Sequence, residues 1–430
     1  MIVASSSLQG KMKMLGDKSI SHRAVILASI AQGKSCIEGI QEGKDLLATM
    51  QCMQNLGVQI EEDGKYLFIE GKGLRGLKEP EDILNCQNSG TTMRILSGVL
   101  SAQNFYSVLT GDISLRKRPM ERIVLPLGKM GARIWSRKGY LAPLSIKGGA
   151  LRGIEYSLPV ASAQVKSSLL LAGLYAEGVS RVKEPYPSRD HTERMLSFMD
   201  ADIHVDSSRI AVRGGKEIKA RDFFIPGDFS AAAFFIGGAA VLEGSRVKIE
   251  KVGVNPTRCG FLEILIEMGA KIKLCNRNII CNEEVADIEV ESTSKLQGVK
   301  VNKEKVPRFL DEIPILAVVA CFAEGKTLIE GAKELRVKET DRIKALCVEL
   351  NKMGARIEER EDGMLIQGAG KLKGTEVYSW EDHRIAMALA IAGILAQGTT
   401  VIHNARCIDI SFPDFWEKLE KIRGRRPRMR

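Results

Sequence analysis

The sequence predicts an α/β protein of two inside-out domains, each built from three repeated βαβαββ-like units with helices central and sheets outside. Three observations carry this. The 430-residue chain repeats itself: six times an apolar, small-residue helix pattern ends in a turn and runs into a β-branched strand, with turn residues Gly33, Asn104, Gly178, Gly244, Gly325 and Gly398 spaced by 71, 74, 66, 81 and 73 residues. A second echo keeps phase with the first. Leu56-Gly57-Val58, Met130-Gly131-Ala132, Met268-Gly269-Ala270 and Met353-Gly354-Ala355 each close an amphipathic pattern ahead of alternating strands, with Met199-Asp200-Ala201 as a degenerate copy. Finally, the six helices are so rich in Ala, Gly, Leu and Ile that they lack a polar face and must be covered all round.

Taken in order, the six buried helix patterns are RAVILASIAQG from Arg23, TMRILSGVLSAQN from Thr92, QVKSSLLLAGLYAEG from Gln164, FSAAAFFIGGAAVLEG from Phe229, DEIPILAVVACFAEG from Asp311 and DHRIAMALAIAGILAQG from Asp382. Three units per domain put the boundary near Ile225-Pro226-Gly227, where the charged RGGKEIKARD stretch gives way to the fourth helix; residues 1–14 are open to either domain.

Composition narrows the class. With 44% hydrophobic and 27% charged residues the chain reads as soluble and globular, and its longest apolar runs, such as 231–242, are too short to span a bilayer. Nine cysteines without CxxC spacing suit a reducing compartment, so the expectation is a cytoplasmic protein without a metal site. The net charge of +10 points to anions, but six of those charges lie in the basic tail 421–430, leaving the body nearly neutral.

Helix N-termini present unpaired N–H groups and partial positive charge, and are natural anion sites. Ahead of the six helices stand DKSISHR (17–23), NSGTT (88–92), ASAQ (161–164), GDFS (227–230), RFLDE (308–312) and WEDHR (380–384). Capping accounts for the Ser, Asn and Asp residues. Lys18, Arg23 and Arg384 oppose the helix dipole, which suggests a bound anion that offsets them. Parallel helices in two facing domains would give a cleft for a small substrate bearing phosphates and carboxylates. RKRPM (116–120), SRDHTE (188–193) and RVKETDR (336–342) add candidates; Lys338 and Arg342, four apart, are expected on one helical face.

GDKSISHR, NSGTTMR, RKRPM, ASAQVKS, SRDHTE, FLDEIP, RVKETDR and DHRIAMA resemble, in order and approximate spacing, the motifs of the 5-enolpyruvylshikimate-3-phosphate synthases (3-phosphoshikimate 1-carboxyvinyltransferases), and the resemblance runs from Lys18 to Ser411-Phe412-Pro413. It implies a first domain of residues 15–226 and a second of 1–14 with 227–430. It also implies transfer of the enolpyruvyl group of phosphoenolpyruvate to the 5-hydroxyl of shikimate 3-phosphate, in aromatic amino acid biosynthesis, by a monomer needing no cofactor.

By motif, Lys18, Ser19, Arg23, Ser162, Gln164, Arg189, Asp311 and Lys338 resemble the shikimate 3-phosphate set; Lys18, Gly90, Arg118, Gln164, Arg342 and Arg384 resemble the phosphoenolpyruvate set. Asp311 is the candidate base toward the 5-hydroxyl, Glu339 with Lys18 the candidate for protonating the methylene carbon, and His383 an orienting or capping residue. Two positions depart from the family pattern: Ile410, where some members carry Lys, and Glu334, where Asn is common.

Two alternatives are weighed. The sister enolpyruvyl transferase of UDP-N-acetylglucosamine uses a Lys-Asn pair and commonly a loop cysteine; here the pair is Lys18-Ser19 and residues 113–122 contain no Cys. An RNA-binding protein would suit the basic tail, yet aromatics are only 5% and give no stacking platform. Neither nucleic acid nor membrane is therefore expected as a partner.

Overall fold

The computed structural model describes residues 2–3, 7–40, 43–368 and 370–423. Residues 424–430, most of the basic tail, lie outside it. Among the described residues twelve α-helices fall into six pairs: α1 Lys18–Ser29 with α2 Lys44–Asn55, α3 Gly90–Leu100 with α4 Glu121–Lys129, α5 Ala163–Gly173 with α6 His191–Phe198, α7 Phe229–Val241 with α8 Gly260–Glu267, α9 Ile313–Phe322 with α10 Arg342–Lys352, and α11 His383–Leu395 with α12 Phe415–Ile422. The first member of each pair is the apolar helix of the repeat.

The six repeats give six small sheets among the described residues. In the second repeat the short strand Leu84–Asn85 runs parallel to Tyr106–Thr110, which follows α3, and the hairpin of Arg133–Arg137 and Leu141–Lys147 completes the sheet antiparallel. Side chains alternate along these strands as period-2 geometry requires. In the first sheet Ile37 pairs in register with Leu67 and Ser35 with Ile69, and Ile37, Leu67 and Ile69 are buried on the helix side. The repeat is therefore β-α-β-α-β-β. Its sixth copy has three strands, with Ile2–Val3 antiparallel to Thr400–His403 where a hairpin strand would otherwise pair.

The chain divides into two compact units, Gly16–Ile225 with Ile279–Glu283, and Met1–Leu15 with Pro226–Asn278 and Glu284–Arg430. The five residues 279–283 are the tip of the hairpin Lys271–Ile280/Glu283–Glu291, and they group with 16–225 rather than with the expected 227–430. Hairpin turns carry no periodic signal, so long-range grouping of this kind is invisible in sequence.

Each unit has its own core. In the 16–225 unit, α3 lies against both α1 and α5. The approach of α3 to α5 is close because Gly98 has no side chain: a Cβ there would sit 2.1 Å from the Ser168 carbonyl oxygen. In the other unit α7, α9 and α11 touch one another, and Phe229, Phe234, Phe235, Ile315 and Leu389 are fully buried among them. Helices without a polar face are stable only when so covered, and this places the six helix starts where side chains from other elements converge on them.

Candidate active site

Five of the six central helices begin with a side-chain cap. Asp17 accepts from Ile20 N–H (2.9 Å), Ser89 from Thr92 (3.2 Å), Ser162 from Val165 (3.5 Å), Asp228 from Ala231 (3.2 Å), and Asp382 from Arg384 (2.8 Å). The exception, α9, starts from the 3-10 turn Leu310–Glu312 with Pro314 in its first turn. Because Asp17 caps, α1 starts five residues earlier than the apolar pattern suggested, and Arg23 sits in its second turn rather than ahead of it.

In the 16–225 unit the predicted residues gather on α1, α3, α5 and the segments before α4 and α6. Lys18, the first residue of α1, pairs with Asp45 of α2. Arg23 is buried and donates to Thr192 Oγ1 (2.7 Å), Ser167 Oγ (2.9 Å) and the Ser19 carbonyl (2.9 Å). Arg189 reaches Ser19 Oγ at 3.4 Å. Of the basic run 116–118, Arg116 and Lys117 are exposed, whereas Arg118 is buried and donates to the Asn88 side chain (2.8 Å) and Ser114 (3.2 Å).

Gly90 opens α3 beside that guanidinium. A Cβ on Gly90 would lie 3.0 Å from Arg94 Nη1, close enough that this guanidinium would have to give, and in ordinary contact, 3.5 Å, with Arg118 Nη1. Arg94 is a residue the motif reading missed although it ends NSGTTMR. It donates to Gln164 Oε1 (2.7 Å), whose amide donates in turn to Thr91 (2.9 Å), tying the starts of α3 and α5 together.

A buried relay joins α1, α2 and α3: His22 Nδ1 meets Thr49 Oγ1 (2.6 Å), Thr49 meets Thr92 (2.6 Å), and Thr92 donates to Ser89 (2.6 Å). Burial, then the charges of Lys18 and Arg23, push the His22 imidazole well below its ordinary range, so it is a neutral ring.

In the other unit Asp311 is the hub. Its carboxylate, on a side chain 15% exposed, lies 3.5 Å from Lys338 Nζ, 3.4 Å from Arg342 Nη1 and 3.8 Å from Arg384 Nη2, while its carbonyl accepts from Arg384 (3.2 Å). Arg342 is 1% exposed and also donates to Asp382 (2.7 Å), itself fully buried, and to Glu339 (2.6 Å). Burial works to lower the Arg342 pKa, but Asp382, Glu339 and Asp311 outweigh it and hold the guanidinium charged. His383 is buried at the first position of α11.

Two expectations change here. Lys338 is not on the helix with Arg342: Asp341 caps α10 by accepting from Lys344 N–H (3.0 Å), so Lys338 lies in extended backbone ahead of it. The two cations meet through Asp311 rather than through an i,i+4 face. Second, carboxylates stand where offsetting anions were expected: Asp45 at Lys18, and Asp311 at Arg384. Of the two departures from the motif pattern, Ile410 ends the 3-10 turn Ala405–Ile410 and Glu334 lies in Lys333–Val337.

Burial raises the thiol pKa of Cys321 and Cys347 to about 12 and of Cys259 and Cys407 to about 11, which suits protonated core residues. Among the described residues no group of three or more His, Cys, Asp or Glu could hold a metal ion, and no helix is long and apolar enough to cross a membrane.

Two α/β units of three repeats each, with Arg, Lys and carboxylate groups collected at the helix starts, define a protein of the enolpyruvyl transferase fold. The enolpyruvyl transferase NikO of Streptomyces tendae shares that fold at a TM-score of 0.80 and 17% identity, over 98% of this chain and 96% of that one. Residues 2–419 match the family described as EPSP synthase (3-phosphoshikimate 1-carboxyvinyltransferase), and the chain belongs to that family. The 3-phosphoshikimate 1-carboxyvinyltransferase of Alkaliphilus metalliredigens is 50% identical over 96% of this chain and 97% of its own length. The EPSP synthase structure from Acinetobacter baumannii superposes at a TM-score of 0.88 with 45% identity, covering 98% of this chain and 97% of that one.

Proposed function

We infer that the chain transfers the enolpyruvyl group of phosphoenolpyruvate to the 5-hydroxyl of shikimate 3-phosphate, releasing phosphate, as a step of aromatic amino acid biosynthesis. The observation that carries the reading is Asp311, a carboxylate flanked by Lys338, Arg342 and Arg384 in a family member matched from residue 2 to 419.

In the addition step the 5-hydroxyl oxygen bonds to C2 of phosphoenolpyruvate, the hydroxyl proton leaves, and a proton is added at C3, giving a tetrahedral intermediate. In the elimination step the bond from C2 to the phosphate oxygen breaks, a C3 proton leaves and phosphate departs. Asp311 is assigned as the acceptor of the hydroxyl proton. Glu339 with Lys18 is assigned to proton traffic at C3.

Both substrates carry a phosphate and a carboxylate, which forked guanidinium groups grip bidentately. Ser19, Arg23, Ser162, Gln164 and Arg189 are assigned to shikimate 3-phosphate, together with Lys18, Asp311 and Lys338. Lys18, Gly90, Arg118, Gln164, Arg342 and Arg384 are assigned to phosphoenolpyruvate. In each unit, ligand oxygens would take over donors now engaged by protein acceptors, and water expelled on binding strengthens each ion contact.

The proposal includes a cytoplasmic monomer with small-molecule substrates and neither nucleic acid nor membrane as partner; light scattering of the purified protein tests its oligomeric state. The activity is tested by following phosphate release from phosphoenolpyruvate with shikimate 3-phosphate as acceptor. Turnover with this pair is expected, and turnover only with UDP-N-acetylglucosamine would overturn the reading.

A further inference from the structure

The segment 184–190, EPYPSRD, links the strand Val179–Lys183 to α6 and carries Arg189. A seven-residue connection with two prolines and an arginine near its end has no regular hydrogen-bond ladder to fix it. The structure fixes it by other means. Ser188, just before Arg189, is held at all three of its polar groups: its N–H donates to Glu184 Oε2 (3.3 Å), its hydroxyl donates to Glu184 Oε1, and its carbonyl accepts from Lys166 Nζ (3.3 Å).

Lys166 spends its remaining donors on Glu184 Oε2 (2.8 Å) and Glu193 Oε1 (2.6 Å). The Lys166 side chain is only 1% exposed, and those of Glu184 and Glu193 are nearly as buried. One cation and two carboxylates buried together are a costly arrangement, weak as a device for stability alone. Glu193 Oε2 has no hydrogen-bond partner among the described residues, and burial raises the Glu193 pKa despite Lys166.

What the cluster achieves is placement. Lys166 belongs to α5, one turn beyond Ser162 and two residues beyond Gln164, so the cluster ties the Arg189 segment to the helix whose first turn carries those residues. On the far side of Arg189, Thr192 is fastened to Ser167 of the same helix (2.6 Å) and to Arg23 of α1 (2.7 Å). Arg189 therefore sits between two anchored residues, with its guanidinium directed to Ser19 Oγ.

We propose that Lys166, Glu184 and Ser188 are positioning residues for shikimate 3-phosphate recognition, acting through Arg189 and not touching the substrate. This rests on the assignment of Arg189 to that ligand. Loss of the Ser188 hydroxyl frees the peptide leading into Arg189. It leaves the phosphoenolpyruvate residues Gly90, Arg118, Arg342 and Arg384 unaltered.

The test compares Ser188→Ala, Ser188→Thr and Glu184→Gln with the unaltered full chain, using initial rates against each substrate and calorimetric titration with shikimate 3-phosphate. Ser188→Ala and Glu184→Gln should raise KM for shikimate 3-phosphate by about tenfold while kcat and KM for phosphoenolpyruvate stay within about twofold. Ser188→Thr, which keeps a hydroxyl, should restore the parent KM. Equal KM values in parent and Ser188→Ala would overturn the inference. So would a parallel fall of kcat with both KM values shifted, since that is the mark of a merely structural role. Failure of the unaltered protein to bind shikimate 3-phosphate would overturn the functional reading itself, an outcome separable from the other two. Because Glu184→Gln removes one of the two carboxylates around the buried Lys166 and leaves it with Glu193, the Ser188 pair decides the matter if that variant does not fold.

Discussion

The two units hold their arginines differently. In the 16–225 unit Arg23 is oriented by two hydroxyls and a carbonyl, and Arg118 by Asn88 and Ser114. In the other unit Arg342 is gripped by the three carboxylates of Asp311, Glu339 and Asp382. A hydroxyl fixes the direction of a guanidinium without bringing negative charge to it; a carboxylate fixes and neutralises at once. The first arrangement suits a surface that receives anions. The second suits one where carboxylates themselves take part in proton movement, held ready by the cations around them.

The contrast makes the consequences of single changes unequal. Arg342→Met should be the most damaging, because it leaves the fully buried Asp382 without its cation; a loss of about 3–5 kcal/mol is expected from urea unfolding. A loss below about 1 kcal/mol would show that Asp382 is rescued by other donors, and would weaken the contrast between the two units.

Asp311→Ala tests the chemistry rather than the fold. Turnover should drop by about 10²–10⁴-fold with little change in melting temperature, as the Asp311 side chain is partly exposed, Lys338 and Arg384 keep some contact with solvent, and the buried Arg342 keeps Glu339 and Asp382. A near-normal kcat would remove Asp311 from the reaction.

His22 probes the neutral-acceptor side through pH. Its folded pKa is lowered, so the unfolded chain binds the proton more readily, and stability is full above the ordinary value of 6.5 and falls as pH drops below it. A decline of about 1.4 kcal/mol per pH unit just below 6.5 is the ceiling for one such group. Thermal melts of the parent and His22→Gln between pH 7 and 5 should diverge in that direction; superimposable profiles would show that the ring is not kept neutral. Thr192→Val should cost least, about 1 kcal/mol in unfolding, since it deletes one hydroxyl from Arg23 and leaves Ser167 and the Ser19 carbonyl in place.

Much of the fold was legible because each unit repeats local chemistry: an apolar helix, a Gly turn, a β-branched strand. Caps were legible for the same reason, since Asp17, Ser89 and Asp382 act on N–H groups two or three residues away. What was hidden is tertiary. Asp45 is 27 residues from Lys18, and Glu184 is 18 from Lys166; neither spacing has a period that marks the pair. Lys338 was misplaced because a four-residue spacing was read as helical, although Asp341, a good cap, stood between it and Arg342. Arg94 stands inside the apolar pattern TMRILSGVLSAQN, where its Met and Ile neighbours mark only a buried helix and nothing local marks it as the donor that holds Gln164, 70 residues away.

The strand Gln9–Lys13 pairs with residues 246–250, and Ile2–Val3 with 400–401. Seen as an order of events, this means that Gln9–Lys13 waits for 246–250, and Ile2–Val3 for 400–401, before either finds its partner. The run 16–225, by contrast, contains almost every contact of its own unit, wanting only the turn 279–283 and with it the Glu283 carboxylate that meets His191 at 2.7 Å. At ~5–20 residues per second of synthesis, the 246–250 partner of Gln9–Lys13 follows residue 225 within about 1–5 s, whereas the 400–401 partner of Ile2–Val3 follows it by about 9–35 s. The ribosome thus imposes a sequence on two units that their shared architecture would otherwise treat as equals.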